Sequence, residues 1–134
     1  MTDFELHSRL AEDAAFIADW TLCRVLLMND ARYPWLILVP RRANIVEIFD
    51  LAPEDRELLI AEVAFASERL KHFSHAAKIN LGALGNLVPQ LHVHVVARNP
   101  GDAAWPGPVW GHGRPVPYEA EALERLVTEI VNAL

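Results

Sequence analysis

Gln90-Leu91-His92-Val93-His94-Val95-Val96 is the stretch on which the reading of this chain turns. Apolar residues alternate with Gln90, His92 and His94, and a β-strand displays such a period of two as separate faces. The spacing predicts that Gln90, His92 and His94 line one face while Leu91, Val93 and Val95 enter the core. Two imidazoles and an amide then stand side by side on a rigid platform. A strand that only fills a core has little use for that polar row. The strand is expected over residues 91–97.

Outward from this stretch the pattern is regular. Residues 82–89 read as a loop carrying Gly82, Gly85 and Asn86, and residues 77–81 as a short strand. Pro53 opens the clearest helix: proline suits the first helical position, and Glu54 and Asp55 favour the positive end of the helix dipole. Ala52 is a poor cap there. Leu59, Val63, Ala66, Leu70 and Phe73 recur at spacings of four and three, which gives one buried stripe and a helix over 53–73. Arg56, Glu57, Glu68 and Lys71 occupy the opposite face. Cys23-Arg24-Val25-Leu26-Leu27-Met28 and Trp35-Leu36-Ile37-Leu38-Val39 are strand-length apolar runs, the second stopped by Pro40. Asn, Asp and Pro between them favour a connection, so the pair reads as an antiparallel hairpin at the sheet centre.

Residues 5–18 read as a short helix followed by an edge element. The Pro/Gly-rich stretch 99–117 breaks the pattern, and residues 118–134 close the chain as a helix with Leu123, Val127, Ile130 and Leu134 inward. The order predicts an α+β domain on an antiparallel sheet of about five strands, with one long helix between strand pairs and another at the end.

A chain of 134 residues suits one domain, here with a core at 22–98 and a C-terminal extension at 99–134. Hydrophobic residues make up 52% and charged residues 22%, the balance of a globular protein rather than a disordered one. No apolar run reaches the ~20 residues of a membrane span. Met1-Thr2-Asp3-Phe4-Glu5 lacks the basic start and apolar stretch of a signal peptide. The single Cys23 excludes an intrachain disulfide and a multi-cysteine zinc site. Cytoplasmic residence is the expectation. A net charge of −6 argues against nucleic acid and anionic lipid as partners. A small phosphate ligand remains compatible, because a local set of His, amide and backbone N–H groups offsets the global sign.

Neutral imidazole carries one protonated and one lone-pair nitrogen and serves as nucleophile, general base or metal ligand. A nucleophilic His92 needs its other nitrogen held as N–H, and the Gln90 carbonyl, two positions earlier, is the expected acceptor. A protonated His94 beside it would donate to an anionic oxygen. Glycines in the loop before the strand let backbone N–H groups approach the same oxyanion.

The stretch 90–96 resembles the signature of the histidine triad (HIT) family, His-φ-His-φ-His-φ-φ with φ apolar. Asn80 and Gly85 fall where that family usually carries a polar residue and a glycine. Met28-Asn29-Asp30, the strand ending Val39-Pro40, then Asp50-Leu51 and the helix from Pro53 follow the family's order, so the resemblance spans residues 22–98. Within the family the chain looks most similar to the dinucleoside polyphosphate hydrolase branch. The resemblance implies a HIT-like fold, a homodimer, and attack by His92 on the α-phosphorus of a dinucleoside polyphosphate or nucleoside phosphoramidate, with a nucleotidyl-histidine intermediate. It implies that His94 binds phosphate oxygen and assists the leaving group, that Asn80 and Asn86 contact phosphate, and that Asn29 contacts ribose. Gln90 completes the substrate-binding set. No metal ligand and no cofactor are required, and Mg²⁺ enters, if at all, with the substrate.

Two departures stand out. Gln90 replaces the first histidine, and Pro40-Arg41-Arg42-Ala43 lacks the histidine that many relatives carry after that proline. Both weigh on catalysis more than on nucleotide binding, so a nucleotide-binding regulatory protein is the alternative reading. Other readings stay open. His92 and His94 can be structural, or can bind a metal with His72, His75 or His112 as third ligand. His72 and His75 also suit the negative end of a helix dipole. Arg41 and Arg42 either steer phosphate or sit at a solvated strand end. Trp105 and Trp110 form either an aromatic flap over a base or packing under the C-terminal helix. Cys23 reads as a small core residue.

Overall fold

A computed structural model describes residues 3–134. The elements run α1 (Ser8–Asp13), β1 (Ala14–Asp19), β2 (Cys23–Met28), β3 (Trp35–Pro40), a short 3-10 turn (Ile48–Asp50), α2 (Pro53–Ser74), β4 (Lys78–Gly82), β5 (Val93–Arg98) and α3 (Ala120–Ala133). The strands form one antiparallel sheet in the order β1-β2-β3-β5-β4. The expected fold class is the observed one. The sheet begins at Ala14, upstream of the stretch 22–98, and β1 pairs along β2 with an irregularity between Phe16 and Ala18.

The histidine-bearing strand starts later than its alternation suggests. Leu91 donates its N–H to the Ile45 carbonyl at 2.9 Å, outside the ladder, and regular pairing begins only at Val93. His92 therefore stands at the mouth of the sheet and His94 inside it, with Ile37 of β3 opposite on one side and Gly82 of β4 on the other. Both neighbouring strands cover β5, and all six of its residues are buried.

The two faces differ. On one, Val25, Leu27, Leu36, Leu38, Val93 and Val95 pack against Leu59, Val63, Ala66 and Leu70 of α2 and Ile130 of α3. Phe73, Leu123, Val127 and Leu134 are partly buried against the same core, so both predicted stripes face inward. Proline at the start of α2, two acidic residues in its first turn and Lys71 and His72 in its last turn suit the dipole. His75 ends the helix in the left-handed region at φ 56°. Cys23 is buried in this core, and burial pushes its thiol pKa up. Glu62, also on α2, is buried. Its carboxylate accepts the Leu22 N–H at 3.0 Å and the Cys23 N–H at 2.8 Å, where the chain enters β2.

On the other face, Leu26, Trp35, Ile37, Val39 and Val96 are covered by Leu10, Val88, Ala104 and Val109. The loop 99–117 is pinned here by Arg98, which is only 1% exposed. Its guanidinium grips Asp102 at 2.8 and 3.0 Å and donates to the Gly107 carbonyl and to Asn80 Oδ1, both at 2.8 Å. The arginine holds the Asp102 carboxyl down at about 2.

Replacing Glu62 by Ala leaves two buried N–H donors unpaired and is expected to lower stability by about 2–4 kcal/mol, read from urea unfolding. Glu62→Gln keeps one acceptor oxygen and should lose clearly less. Equal losses for the two variants would contradict this assignment.

Candidate functional site

His92 Nδ1 lies 2.7 Å from the Gln90 carbonyl oxygen. A carbonyl only accepts, so Nδ1 carries the proton, and the lone pair of the neutral ring resides on Nε2. The acceptor expected from the strand spacing is the one the fold uses. His94 is held in the opposite sense. Its Nδ1 accepts the indole N–H of Trp35 at 3.0 Å, so its proton resides on Nε2. The two rings stand 4.9 Å apart, inclined at 75°. One presents a lone pair from Nε2 and the other an N–H.

His94 is not the protonated partner expected. Burial, with a smaller contribution from His92, pushes its pKa down to about 4. The ring is neutral at neutral pH, and Nε2–H remains a hydrogen-bond donor without the positive charge. Aromatic rings enclose it edge-on: Trp35 at 5.6 Å and Trp110 at 5.8 Å between centroids. Trp110 reaches this position because Gly82 has no side chain; a Cβ there would lie 2.8 Å from the indole. Trp110 thus packs on the histidine face, and Trp105 lies against the Arg98 guanidinium at 5.7 Å. Neither belongs to the core of α2 and α3, so of the two readings packing under the C-terminal helix is excluded; both lie on the opposite side of the sheet.

His92 borders two hollows. The larger, about 430 Å³, is lined by His92, His94, Asn86, Trp110 and Arg9, with apolar walls from residues such as Leu10 and Ile37. Its volume suits a small organic ligand. The smaller, about 250 Å³, has Gln90, Gly85 and Phe49 among its walls.

Of the residues singled out in the sequence, His92, His94 and Asn86 meet at the larger hollow. The Gln90 amide is engaged elsewhere: Oε1 accepts the His7 N–H and Nε2 donates to the Glu5 carbonyl, each at 2.8 Å. Asn80 Oδ1 accepts from Arg98, and Asn29 Oδ1 accepts the Tyr118 N–H at 2.9 Å. Arg42 pairs with Asp55, and Arg41 donates to the Trp20 and Thr21 carbonyls, so both brace the strand end rather than the hollows. Among the described residues no three His, Cys, Asp or Glu side chains converge as a metal set.

Trp35 and Arg9 are the site residues that sequence reasoning missed. Trp35 shares a face with Ile37 by simple alternation, which was a usable signal. Arg9 lies on a six-residue helix far from the motif, and nothing local pointed to it.

A family model described as the HIT domain matches residues 9–101. The chain belongs to the HIT family. HIT proteins of known structure align over nearly their full length: one from Sinorhizobium meliloti 1021 (48% identity, 98% of both chains, TM-score 0.95), one from Bradyrhizobium japonicum (47%, 97% of both, 0.93) and one from Marinobacter aquaeolei VT8 (46%, 98% of this chain and 96% of that one, 0.94). No match was found among curated proteins. Within the HIT frame the site sets a ring with its proton on Nδ1 beside a ring with its proton on Nε2, the second packed by tryptophan.

The His94 geometry predicts its titration. The unfolded state binds the proton near ~6.5 and the folded state near about 4. Between these values the unfolded chain holds more protons, so stability falls as pH drops through that window, by up to roughly 3 kcal/mol from this group. Ring ¹⁵N chemical shifts should show His94 as the neutral Nε2–H form at pH 7. Titration of His94 near ~6.5 in the folded protein would contradict the burial argument.

Proposed function

We propose that this HIT protein is a nucleotide hydrolase or transferase acting at the α-phosphorus of dinucleoside polyphosphates or nucleoside phosphoramidates. The observation that carries this reading is the bond between His92 Nδ1 and the Gln90 carbonyl. It leaves the Nε2 lone pair as the nucleophile in a ring that borders both hollows.

The steps follow from the residues present. Nε2 of His92 forms a bond to phosphorus as the bond from phosphorus to the leaving group breaks. The leaving group takes that electron pair. The substituted ring is then cationic, and its Nδ1–H points at the Gln90 carbonyl, a charge-assisted hydrogen bond. His94 Nε2–H and the Asn86 amide donate to the non-bridging phosphate oxygens, stabilising the charge that develops there. Water then attacks phosphorus, the P–N bond breaks, the electron pair returns to His92 Nε2, and the proton that water loses passes to solvent or to the anionic leaving group. Asn80 and Asn29 keep Oδ1 on protein partners, which leaves their Nδ2 groups as donors, Asn86 borders the larger hollow, and Gln90 acts through its main chain. The apolar walls and Trp110 suit a base. By its family the protein is read as a cytoplasmic homodimer. The outer edge of β4, last in the sheet order, is open to pairing with a second copy, and solution mass tests the dimer.

Incubation with diadenosine polyphosphate and with a nucleoside phosphoramidate should give products that vanish in His92→Asn. Loss of His94, as His94→Ala, should slow turnover by roughly 10²–10³ with the fold retained. The replacement of a histidine by Gln90 favours the second reading, a regulatory nucleotide binder. Tight nucleotide binding with no His92-dependent product would select it.

A further inference from the structure

The Trp35 indole makes a demand on the reaction that the histidine pair alone does not. To protonate a leaving group, an imidazole must be charged, with hydrogen on both nitrogens, so that it becomes neutral on giving one up. Nδ1 of His94 already accepts the Trp35 N–H at 3.0 Å. Indole nitrogen is a donor only and cannot accept a proton in return. Trp110 packs edge-on against the ring at 5.8 Å, and Ile37 and Gly82 stand opposite it in the ladder. A neutral His94 that surrendered its Nε2 proton would be left as an imidazole anion, far too basic to form at neutral pH.

We propose that Trp35 is a positioning residue that confines His94 to hydrogen-bond donation, so that the enzyme selects substrates whose leaving group departs as a stable anion. This rests on the covalent reading of His92. The substrate class is then a phosphoric anhydride, with a nucleoside phosphate leaving. As the His92 Nε2–P bond forms, the P–O bond breaks and its electron pair stays on the departing phosphate oxygen, where neighbouring phosphoryl oxygens share the charge. No proton is needed. A phosphoramidate differs, because an amine leaves only after its nitrogen gains a proton, and the two indoles packed against His94 carry no proton acidic enough to give.

The test is a leaving-group comparison on the full chain. The substrates are diadenosine tetraphosphate, adenosine 5′-phosphoramidate and a series of substituted phenyl esters of adenosine monophosphate. General acid assistance is typically worth 10²–10⁴, so the unmodified protein should favour the anhydride over the amidate by about 10²-fold or more in kcat/KM. Its ester rates should rise steeply with the acidity of the phenol. Trp35→Phe keeps the ring and removes the N–H that occupies Nδ1, so that burial alone opposes a proton there. The anhydride-to-amidate ratio should then narrow by roughly tenfold or more, and the ester series should flatten. A variant that merely damages packing would slow all substrates alike, and that result overturns the assignment to Trp35. Amidate split as fast as anhydride by the unmodified protein overturns the substrate class, and the ester series reads this without any variant. Failure of every substrate to give a His92-dependent product is a separate outcome: it removes the covalent reading and this inference with it.

Discussion

The pairing of β5 with β3, which sets Ile37 opposite His94, is the constraint on which the site depends. A strand enclosed by neighbours on both edges leaves little water for a polar side chain. His94 sits in that position. Burial removes its charge, and its acceptor nitrogen must find a donor inside the protein. Trp35 supplies it from the same face of the adjacent strand. Sheet register therefore decides a protonation state, and the protonation state decides what the histidine contributes. His92, just ahead of the ladder, is equally buried but meets its need differently. It borders open space and takes its tautomer from its own main chain.

The same economy applies to the cations. Phosphate recognition by an acidic chain would call for arginines at the site, yet most of those described are bound to partners elsewhere. Arg98 and Asp102 pin the loop that carries both Trp105 and Trp110. Arg32 grips Asp30, Arg42 grips Asp55 and Arg24 grips Asp19. Of the residues around the larger hollow, Arg9 is the one arginine or lysine, and it stands 3.9 Å from Asp13 in an exposed pair of small value. Phosphate would meet mainly neutral donors aimed by rigid structure. Preorganised dipoles of this kind stabilise developing charge without the strong ground-state attraction that a cluster of free cations would exert.

Much of this was legible in the sequence, and the pattern of success has a physical basis. Strand alternation and helical spacing are local, so the β2–β3 hairpin, the α2 stripe and the two sides of β5 could all be read directly. The His92–Gln90 bond was legible for the same reason, since it joins a side chain to a carbonyl two residues away. What stayed hidden was long-range. Glu62 sits in α2 as the one charge in the apolar run 58–66, and only the folded chain brings the N–H groups of Leu22 and Cys23 to it. Arg98 ends a strand like any exposed arginine until the loop folds over it. The charge expected on His94 failed similarly: alternation gave its face but not the tryptophans that cover it.

Gln90 shows how a departure from a motif can be coherent. The nucleophile asks only for a carbonyl at this position, which any residue provides, so the side chain is released from the duty implied by its place in the triad. A glutamine presents an acceptor and a donor at fixed separation, and here they close on the N–H of His7 and the carbonyl of Glu5. The segment so held leads into α1, whose Arg9 and Leu10 wall the larger hollow. A neutral imidazole also offers one donor and one acceptor, but across a rigid ring, and it can gain a charge beside His92. An amide cannot. Replacing the first histidine by glutamine thus removes a titrating group from the approach to His92 while tying down a segment whose next turn walls the larger hollow.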